Sequence, residues 1–237
     1  MRRRKFLRSC AIGGGVAGIA QLPGLLAQAW GDATFREYPR SRLVDGQGAP
    51  LCAKDLALHR NYVFNYPYAG TPCFLLSLDR AALQARLQNE AGKAYEWSGG
   101  VGPKRSIVAY SAICAHKLAY PAKEVSFIRF QAQPSKTSKG GVIHCCAEHS
   151  VYDPADGARV IGGPAPQPLA AIVLEYDPKS DGLTAIGTVG AEQFEAFFAK
   201  YEFKLAMEHG AGRAQSTVGA TTACRDMAQV CRQTIQC

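Results

Sequence analysis

Two short segments of the chain each place one cysteine and one histidine close together. In the first, a single residue separates Cys114 from His116, and in the second, two residues separate Cys146 from His149. Each segment follows a run of apolar and β-branched residues, so each is predicted to be a loop at the end of a strand. A hairpin that brings the loops to one tip gives a site with two thiolates and two imidazoles.

The spacing of these four side chains distinguishes two kinds of metal site. Zinc ligands usually occur as Cys-x2–4-Cys and His-x3–5-His pairs. One Cys-x-His and one Cys-x-x-His instead favour a 2Fe–2S cluster, with two cysteines on one iron and two histidines on the other. A zinc site in a secreted binding module is the alternative, and colour separates the two because zinc is colourless.

The remainder of the chain predicts a mainly β fold. Strands are expected near residues 62–66, 73–78, 106–110, 125–130, 142–144 and 171–176, with an exposed hairpin tip at 133–141. Leu83 and Leu87 lie four positions apart and predict a short helix over 80–91. A helical face near the C terminus is formed by the apolar residues Phe194, Phe197, Phe198, Tyr201 and Leu205.

At this point the sequence resembles the Rieske iron–sulfur proteins. Residues 107–113 lead into the first loop as in that family, an aromatic-Asp pair (Tyr152, Asp153) follows the second, and Gly-Pro-Ala-Pro at 163–166 resembles the family's proline loop. The resemblance covers about residues 62–178. It implies an antiparallel β-sandwich and one 2Fe–2S cluster per chain. The implied ligands are Cys114, His116, Cys146 and His149.

Two departures from the family pattern accompany this resemblance. In the quinol-oxidising members a disulfide ties the two loops together, and its cysteines would fall here at Ala119 and Glu148. The second loop also lacks the usual glycine after its histidine, so Ser150 and Tyr152 each sit one residue early. In those members a serine and a tyrosine donate hydrogen bonds to cluster sulfurs, a role that Ser150 and Tyr152 are candidates for here.

The expected cofactor is suited to carrying single electrons. With two thiolate and two neutral imidazole ligands the oxidised cluster is neutral, and adding an electron to a neutral centre is easier than adding one to an anion. Potentials of such clusters span roughly −150 to +300 mV, against about −400 mV for all-cysteine plant-type clusters.

The N-terminal segment, residues 1–29, reads as an export signal. Arg3 and Arg4 form a twin arginine, an uncharged stretch follows, and Ala27 and Ala29 supply small residues at cleavage-type spacing. This order predicts twin-arginine export to the periplasm. The alternative is an uncleaved anchor, with membrane association through residues 9–30.

The net charge of +8 does not indicate a nucleic-acid partner. Residues 1–29 hold five basic residues and no acidic one, so the rest of the chain carries about +3. A nucleic-acid-binding protein keeps its basic patch in the folded part. We therefore expect no nucleic-acid binding.

The other cysteines are assigned from position and compartment. An oxidising compartment favours disulfides, and one bridge that clips the tail onto the β domain is expected. Cys145 is predicted to be a buried thiol, because a strand neighbour of Cys146 points the opposite way. His144 is given a structural role. The disulfide candidates are Cys52, Cys73, Cys224, Cys231 and Cys237.

The expected organisation is a signal or anchor over 1–29, an extension over 30–60, a Rieske domain over 61–190, and a C-terminal helix with a flexible cysteine-containing tail over 191–237. The leading functional interpretation is a redox subunit of an exported quinol–cytochrome c reductase type complex, with quinol and cytochromes as partners. The alternative is the small electron-relay subunit of a periplasmic molybdenum oxidase of the arsenite oxidase type. Neither is a stand-alone catalyst.

Overall fold

The computed structural model describes residues 35–237. The export signal or anchor expected over 1–29, and the first part of the extension expected over 30–60, lie outside the described residues. The strands are β1 Phe35–Val44, β2 Tyr62–Asn65, β3 Pro72–Ser77, β4 Ala85–Gln88, β5 Ala94–Trp97, β6 Ile107–Ser111, β7 Val125–Ser126, β8 Ile128–Gln131, β9 Val142–Cys145, β10 Ser150–Asp153, β11 Arg159–Gly162, β12 Ala171–Asp177, β13 Gly182–Val189, β14 Thr221–Ala223, β15 Arg225–Asp226 and β16 Gln233–Thr234.

The larger sheet has eight strands in the order β14-β1-β13-β12-β6-β3-β2-β15. All neighbouring pairs are antiparallel except β1 with β14. β1 pairs with β13 from Phe35↔Val189 onward, so the segment expected to be an extension before the β domain supplies a strand of its main sheet.

A smaller antiparallel sheet, in the order β11-β10-β9-β8, packs against one face of the larger one. Their shared core contains Leu76 and Tyr110 from the larger sheet and Ile143 and Tyr152 from the smaller, all fully buried. The mainly β fold is thus confirmed. Of the two loops, the first follows β6 of the larger sheet and the second joins β9 to β10 of the smaller.

The helix predicted over 80–91 is wrong. β4 pairs with β5 as a hairpin in the register Ala85↔Trp97. Burial in β4 alternates, with Ala85 and Leu87 buried and their neighbours exposed, which is the period of two of a half-buried strand. Leu83, which suggested helical spacing with Leu87, is 63% exposed.

The predicted C-terminal helix is present as α1, Phe194–His209. Phe194, Phe197, Phe198 and Leu205 are buried along one face. They form a separate apolar cluster with Tyr120 from the segment after the first loop. α1 therefore packs directly behind that loop.

Replacing Phe197 with alanine is expected to lower the unfolding free energy by about 3–5 kcal/mol, because Phe197 is fully buried and the truncation leaves a cavity. Its ring meets that of Tyr120 edge to face at a centroid distance of 5.0 Å. Phe203→Ala on the same helix is the matched control: Phe203 is 79% exposed, so its change stays within about 0.5 kcal/mol. Urea unfolding measures both, and equal losses would contradict this packing.

The tail adds two strands to the larger sheet, one strand beside β7, and one short helix, α2 Met227–Val230. β14 extends the larger sheet beside β1, although 209–223 read as loop-like in composition. β15 pairs with β2, and β16 runs parallel to β7. Across residues 35–237, no helix combines the length and apolar character needed to cross a membrane.

Candidate metal centre

The first loop is a tight turn closed by its own backbone. The Cys114 amide donates to the Ala119 carbonyl at 2.8 Å, and the Leu118 amide donates to the Cys114 carbonyl at 2.9 Å. Leu118 takes a left-handed conformation, with φ of 59°. Gln193, just before α1, donates from Nε2 to the Ala115 carbonyl at 3.0 Å, which ties the turn to the helix.

The second loop leaves β9 at Cys145 and enters β10 at Ser150, and these two residues face each other across the ladder. His149 has φ of 61°, in the left-handed region. The proline loop at 163–166 lies against this turn. A Cβ on Gly163 would stand 2.2 Å from the His149 carbonyl oxygen, so only glycine fits there.

A pair of buried thiols lies between the two loops. Cys114 and Cys145 are both free and each is 1% exposed. The Cys145 thiol hydrogen-bonds the Cys114 sulfur, and this contact with help from the Tyr152 hydroxyl lowers the pKa of Cys114 to about 5. The Tyr152 hydroxyl lies 3.4 Å from the Cys114 sulfur and accepts the Ala115 amide at 3.1 Å.

Cys146, expected to be the second cysteine ligand, is placed differently. Its sulfur is joined to Cys237 in a disulfide with a Cα–Cα distance of 5.6 Å. A metal ligand must be a thiolate, and a sulfur in a disulfide is not one. The thiol beside Cys114 belongs to Cys145, which the sequence predicts to be a buried thiol rather than a ligand.

The expected tail bridge exists, but its partner was not among the candidates. Cys237 is bonded to Cys146 rather than to another member of the predicted set. Cys73 hydrogen-bonds the Tyr66 carbonyl at 3.0 Å. The four candidates that remain free thiols are Cys52, Cys73, Cys224 and Cys231.

The two predicted histidine ligands both belong to the loops but have different surroundings. The His116 Nδ1 is buried and makes no hydrogen bond within the described residues, although Glu148 Oε2 lies 3.4 Å away. The exposed His149 has its ring 5.6 Å from that of His144. The donor atoms of His144, His149 and Cys237 lie within 4.8 Å of one another, but the disulfide removes the thiolate that a metal there would need.

His144 lies on the opposite face of β9 from Cys145. It is fully buried, and neither ring nitrogen has a hydrogen-bond partner in the described part of the chain. Burial, helped by His149 and Arg129, lowers the pKa of His144. A neutral imidazole packed beneath the tail agrees with the structural role expected of it.

The donor set beside the first loop fits part of a cluster with mixed sulfur and nitrogen ligation. It offers two thiols and the His116 imidazole, whereas Glu148 lies beside His116 and the His149 ring lies beside that of His144. Two buried thiols are paired without a disulfide, as two ligands of one iron would be. The His116 Nδ1 and the Ser150 hydroxyl are buried without hydrogen bonds among residues 35–237, which is costly unless another group meets them. Ser150 also lies opposite Cys145 on the ladder.

The chain is similar to known proteins among both curated sequences and solved structures. No family model matches the chain. The iodate reductase subunit IdrB of Denitromonas iodatirespirans is 29% identical over 197 residues, which cover 80% of this chain and 82% of the relative. The soluble domain of the Rieske protein II from Sulfolobus acidocaldarius is 27% identical, with 66% of this chain and 82% of that chain covered and a TM-score of 0.47. These similarities support a Rieske-family protein.

The sequence reasoning missed two parts of the site. One feature of the sequence did point to the pairing of Cys145 with Cys114. Counted from Cys146, Ser150 and Tyr152 lie one residue too early for the family pattern. No feature of the sequence pointed to the contact of Gln193 with the first loop, because that contact joins positions 78 residues apart. The Tyr152 hydroxyl, predicted to bond a cluster sulfur, lies 3.4 Å from the sulfur of Cys114.

Proposed function

We propose that this Rieske-type protein is a one-electron carrier that holds a 2Fe–2S cluster between its two cysteine–histidine loops. The observation that carries the proposal is the buried pair of free thiols, Cys114 and Cys145, beneath the loops that hold His116 and His149. When bound, such a cluster accepts and releases one electron without making or breaking bonds to a substrate.

The protein's own residues shape this centre. The Tyr152 hydroxyl accepts the Ala115 amide and donates toward Cys114, so it both fixes the first loop and adds positive potential at a ligand sulfur. Gln193 holds the same loop from α1. Part of the His116 side chain reaches solvent, with 22% of it exposed, so a redox partner can approach this side of the site.

We propose that the carrier works as the electron-relay subunit of a larger oxidoreductase. The relative named above is a subunit of an iodate reductase, an enzyme whose substrate is an oxyanion. That supports a relay beside a catalytic subunit, the arrangement expected for the arsenite oxidase type. The cysteine pair of quinol-oxidising members is replaced here by Ala119 and Glu148, which gives the quinol–cytochrome c reductase arrangement less support.

The compartment is part of the same proposal. The twin arginine at Arg3 and Arg4 favours export after folding, which suits a protein that receives its cluster in the cytoplasm. We propose a periplasmic location. Residues 9–30 serve either as a cleaved segment or as an anchor, and the mass of the mature chain, isolated from membrane and soluble fractions, distinguishes the two.

Purification of the full chain under native conditions tests the function. The proposal predicts red-brown protein whose visible absorption bleaches on reduction with dithionite. Co-purification with a large catalytic subunit supports the relay, whereas co-purification with a membrane cytochrome and a response to added quinol would contradict it in favour of the quinol–cytochrome c reductase type. Colourless protein containing zinc would overturn the electron-transfer function.

Replacing Tyr152 with phenylalanine is expected to lower the midpoint potential by roughly 40 mV while leaving iron content unchanged. A hydrogen bond to a ligand sulfur is stronger when the reduced cluster places more charge on it, and a difference of about 1 kcal/mol corresponds to that shift. Tyr110→Phe is the control, because the buried Tyr110 hydroxyl donates to the Pro154 carbonyl instead. A spectroelectrochemical titration with equal potentials for wild type and Tyr152→Phe would contradict the contact.

A further inference from the structure

A cleft lies between the C-terminal tail and β8, the edge strand of the smaller sheet. Its volume is about 440 Å³, and its walls come from the segment before β2, from β8 and from the tail around α2. Each wall contributes one arginine, and these are Arg60, Arg129 and Arg232. We call this site the basic cleft.

The walls of the basic cleft are held together by hydrogen bonds to the backbone. Asn61 makes two with Phe130 of β8, because its Nδ2 donates to the carbonyl at 3.0 Å and its Oδ1 accepts the amide at 2.7 Å. The Met227 amide donates to the Asn61 carbonyl at 2.8 Å. Farther along the tail, the Arg232 amide donates to the Lys123 carbonyl at 2.9 Å. The three arginines are therefore carried by connected backbone segments.

Arg129 is a half-buried cation without a counter-ion. Its Nε is buried and has no hydrogen-bond partner in the part of the chain that the structure describes. The residue opposite it on β9 is His144, an imidazole. Burial lowers the pKa of Arg129, and no acidic group among residues 35–237 offsets this effect. Since a guanidinium stays charged in proteins, leaving it partly desolvated and unpaired is costly. An anion in the cleft lowers that cost.

The acidic groups near the basic cleft already have partners. Asp226 lines the cleft, but one of its oxygens lies 2.8 Å from Arg60 and the other accepts a backbone amide of α2. Glu124 interacts with the exposed Arg232 only through its charge, and its carboxylate lies 3.5 Å from a lysine of α1. The positive charges of Arg129 and Arg232 are therefore left for a ligand.

We propose that the basic cleft binds a small oxyanion of the sulfate or phosphate type, with Arg129 and Arg232 as its charged contacts. The planar guanidinium group offers parallel N–H donors that match the oxygen atoms of such anions. This site is separate from the metal centre. Arg129 shares a face of the smaller sheet with His144, whereas Cys145 points to the opposite face because side chains alternate along a strand.

Calorimetric titration of the full chain with sodium sulfate, and separately with sodium phosphate, tests the proposal at an ionic strength held constant with sodium chloride. Wild-type protein is expected to bind one anion per chain. R129Q and R232Q are each expected to weaken the affinity at least about tenfold, because each removes charge-assisted hydrogen bonds. R86Q is the matched control and should bind as the wild type does, since Arg86 lies on β4 outside the cleft with 77% of its side chain exposed.

Binding of either anion that depends on both cleft arginines supports the proposal. Wild-type protein that binds neither anion, or R86Q protein that loses as much affinity as R129Q, would overturn it. R232Q decides the case in which R129Q does not fold, because Arg232 is exposed and lies outside the sheet. A folded R232Q protein with unchanged affinity also overturns the proposal. None of these readouts involves iron, so a failure of the proposed electron-transfer function does not alter the result.

Discussion

Cys114→Ser is expected to give a folded protein that lacks the visible absorption and the iron of the wild type. Cys114 is a buried thiol that contacts Cys145, lies beside the Tyr152 hydroxyl and belongs to the first loop. A serine hydroxyl remains protonated at neutral pH and is a far weaker ligand for iron than a thiolate. We expect at least a tenfold loss of bound iron, measured per folded chain by elemental analysis.

Cys73→Ser is the matched control for this variant. Cys73 is also a fully buried thiol, but it lies on the opposite face of the larger sheet and donates to the Tyr66 carbonyl. A serine hydroxyl can make the same bond, so iron content should equal that of the wild type. If Cys73→Ser loses iron to the same degree as Cys114→Ser, the loss reflects misfolding rather than ligation, and the site assignment is not supported.

Gly163→Ala is expected to disturb the second loop and to lower the unfolding free energy by at least about 2 kcal/mol. Gly163 has φ of 78°, which costs an alanine about 1–2 kcal/mol by itself. The added methyl would also stand 2.2 Å from the His149 carbonyl oxygen and 2.6 Å from the Ser150 Cα, so the backbone of the loop must move. Because His149 is in that loop, iron content should fall as well.

Gly162→Ala provides the control one residue away. Its methyl would meet the Val151 side chain at 3.7 Å, an ordinary contact, within β11. Substitution at a glycine with compatible conformation is neutral or stabilises by up to about 1 kcal/mol. Urea unfolding and iron content of both variants test the arrangement. Indistinguishable behaviour of the two variants would mean that the proline loop does not support the second loop.

Local patterns in the sequence predicted most of the elements around the site. Runs of apolar and β-branched residues predict β2, β3, β6 and β12, and the aromatic spacing from Phe194 to Leu205 predicts α1. The hairpin β4–β5 was misread because Leu83 and Leu87 coincide with helical spacing, while the burial of Ala85 and Leu87 follows a strand. The spacing of one pair of leucines cannot distinguish a helical period from a strand period in so short a segment.

The two cysteine–histidine loops are predictable from spacing, whereas the partners of the individual sulfurs are not. A Cys-Cys pair places one thiol on each face of a strand, and the sequence does not say which face meets Cys114. That choice depends on contacts between distant parts of the chain, from Cys145 to Cys114 and from Cys146 to Cys237. Long-range pairings of this kind, like the placement of β1 and the tail in the larger sheet, leave no local signature.

The direct test of the electron-carrier account is the metal and sulfide content of the full chain purified without added metals. The account predicts about two irons and two acid-labile sulfides per chain, as one 2Fe–2S cluster requires. A stoichiometric zinc content with no labile sulfide would contradict it.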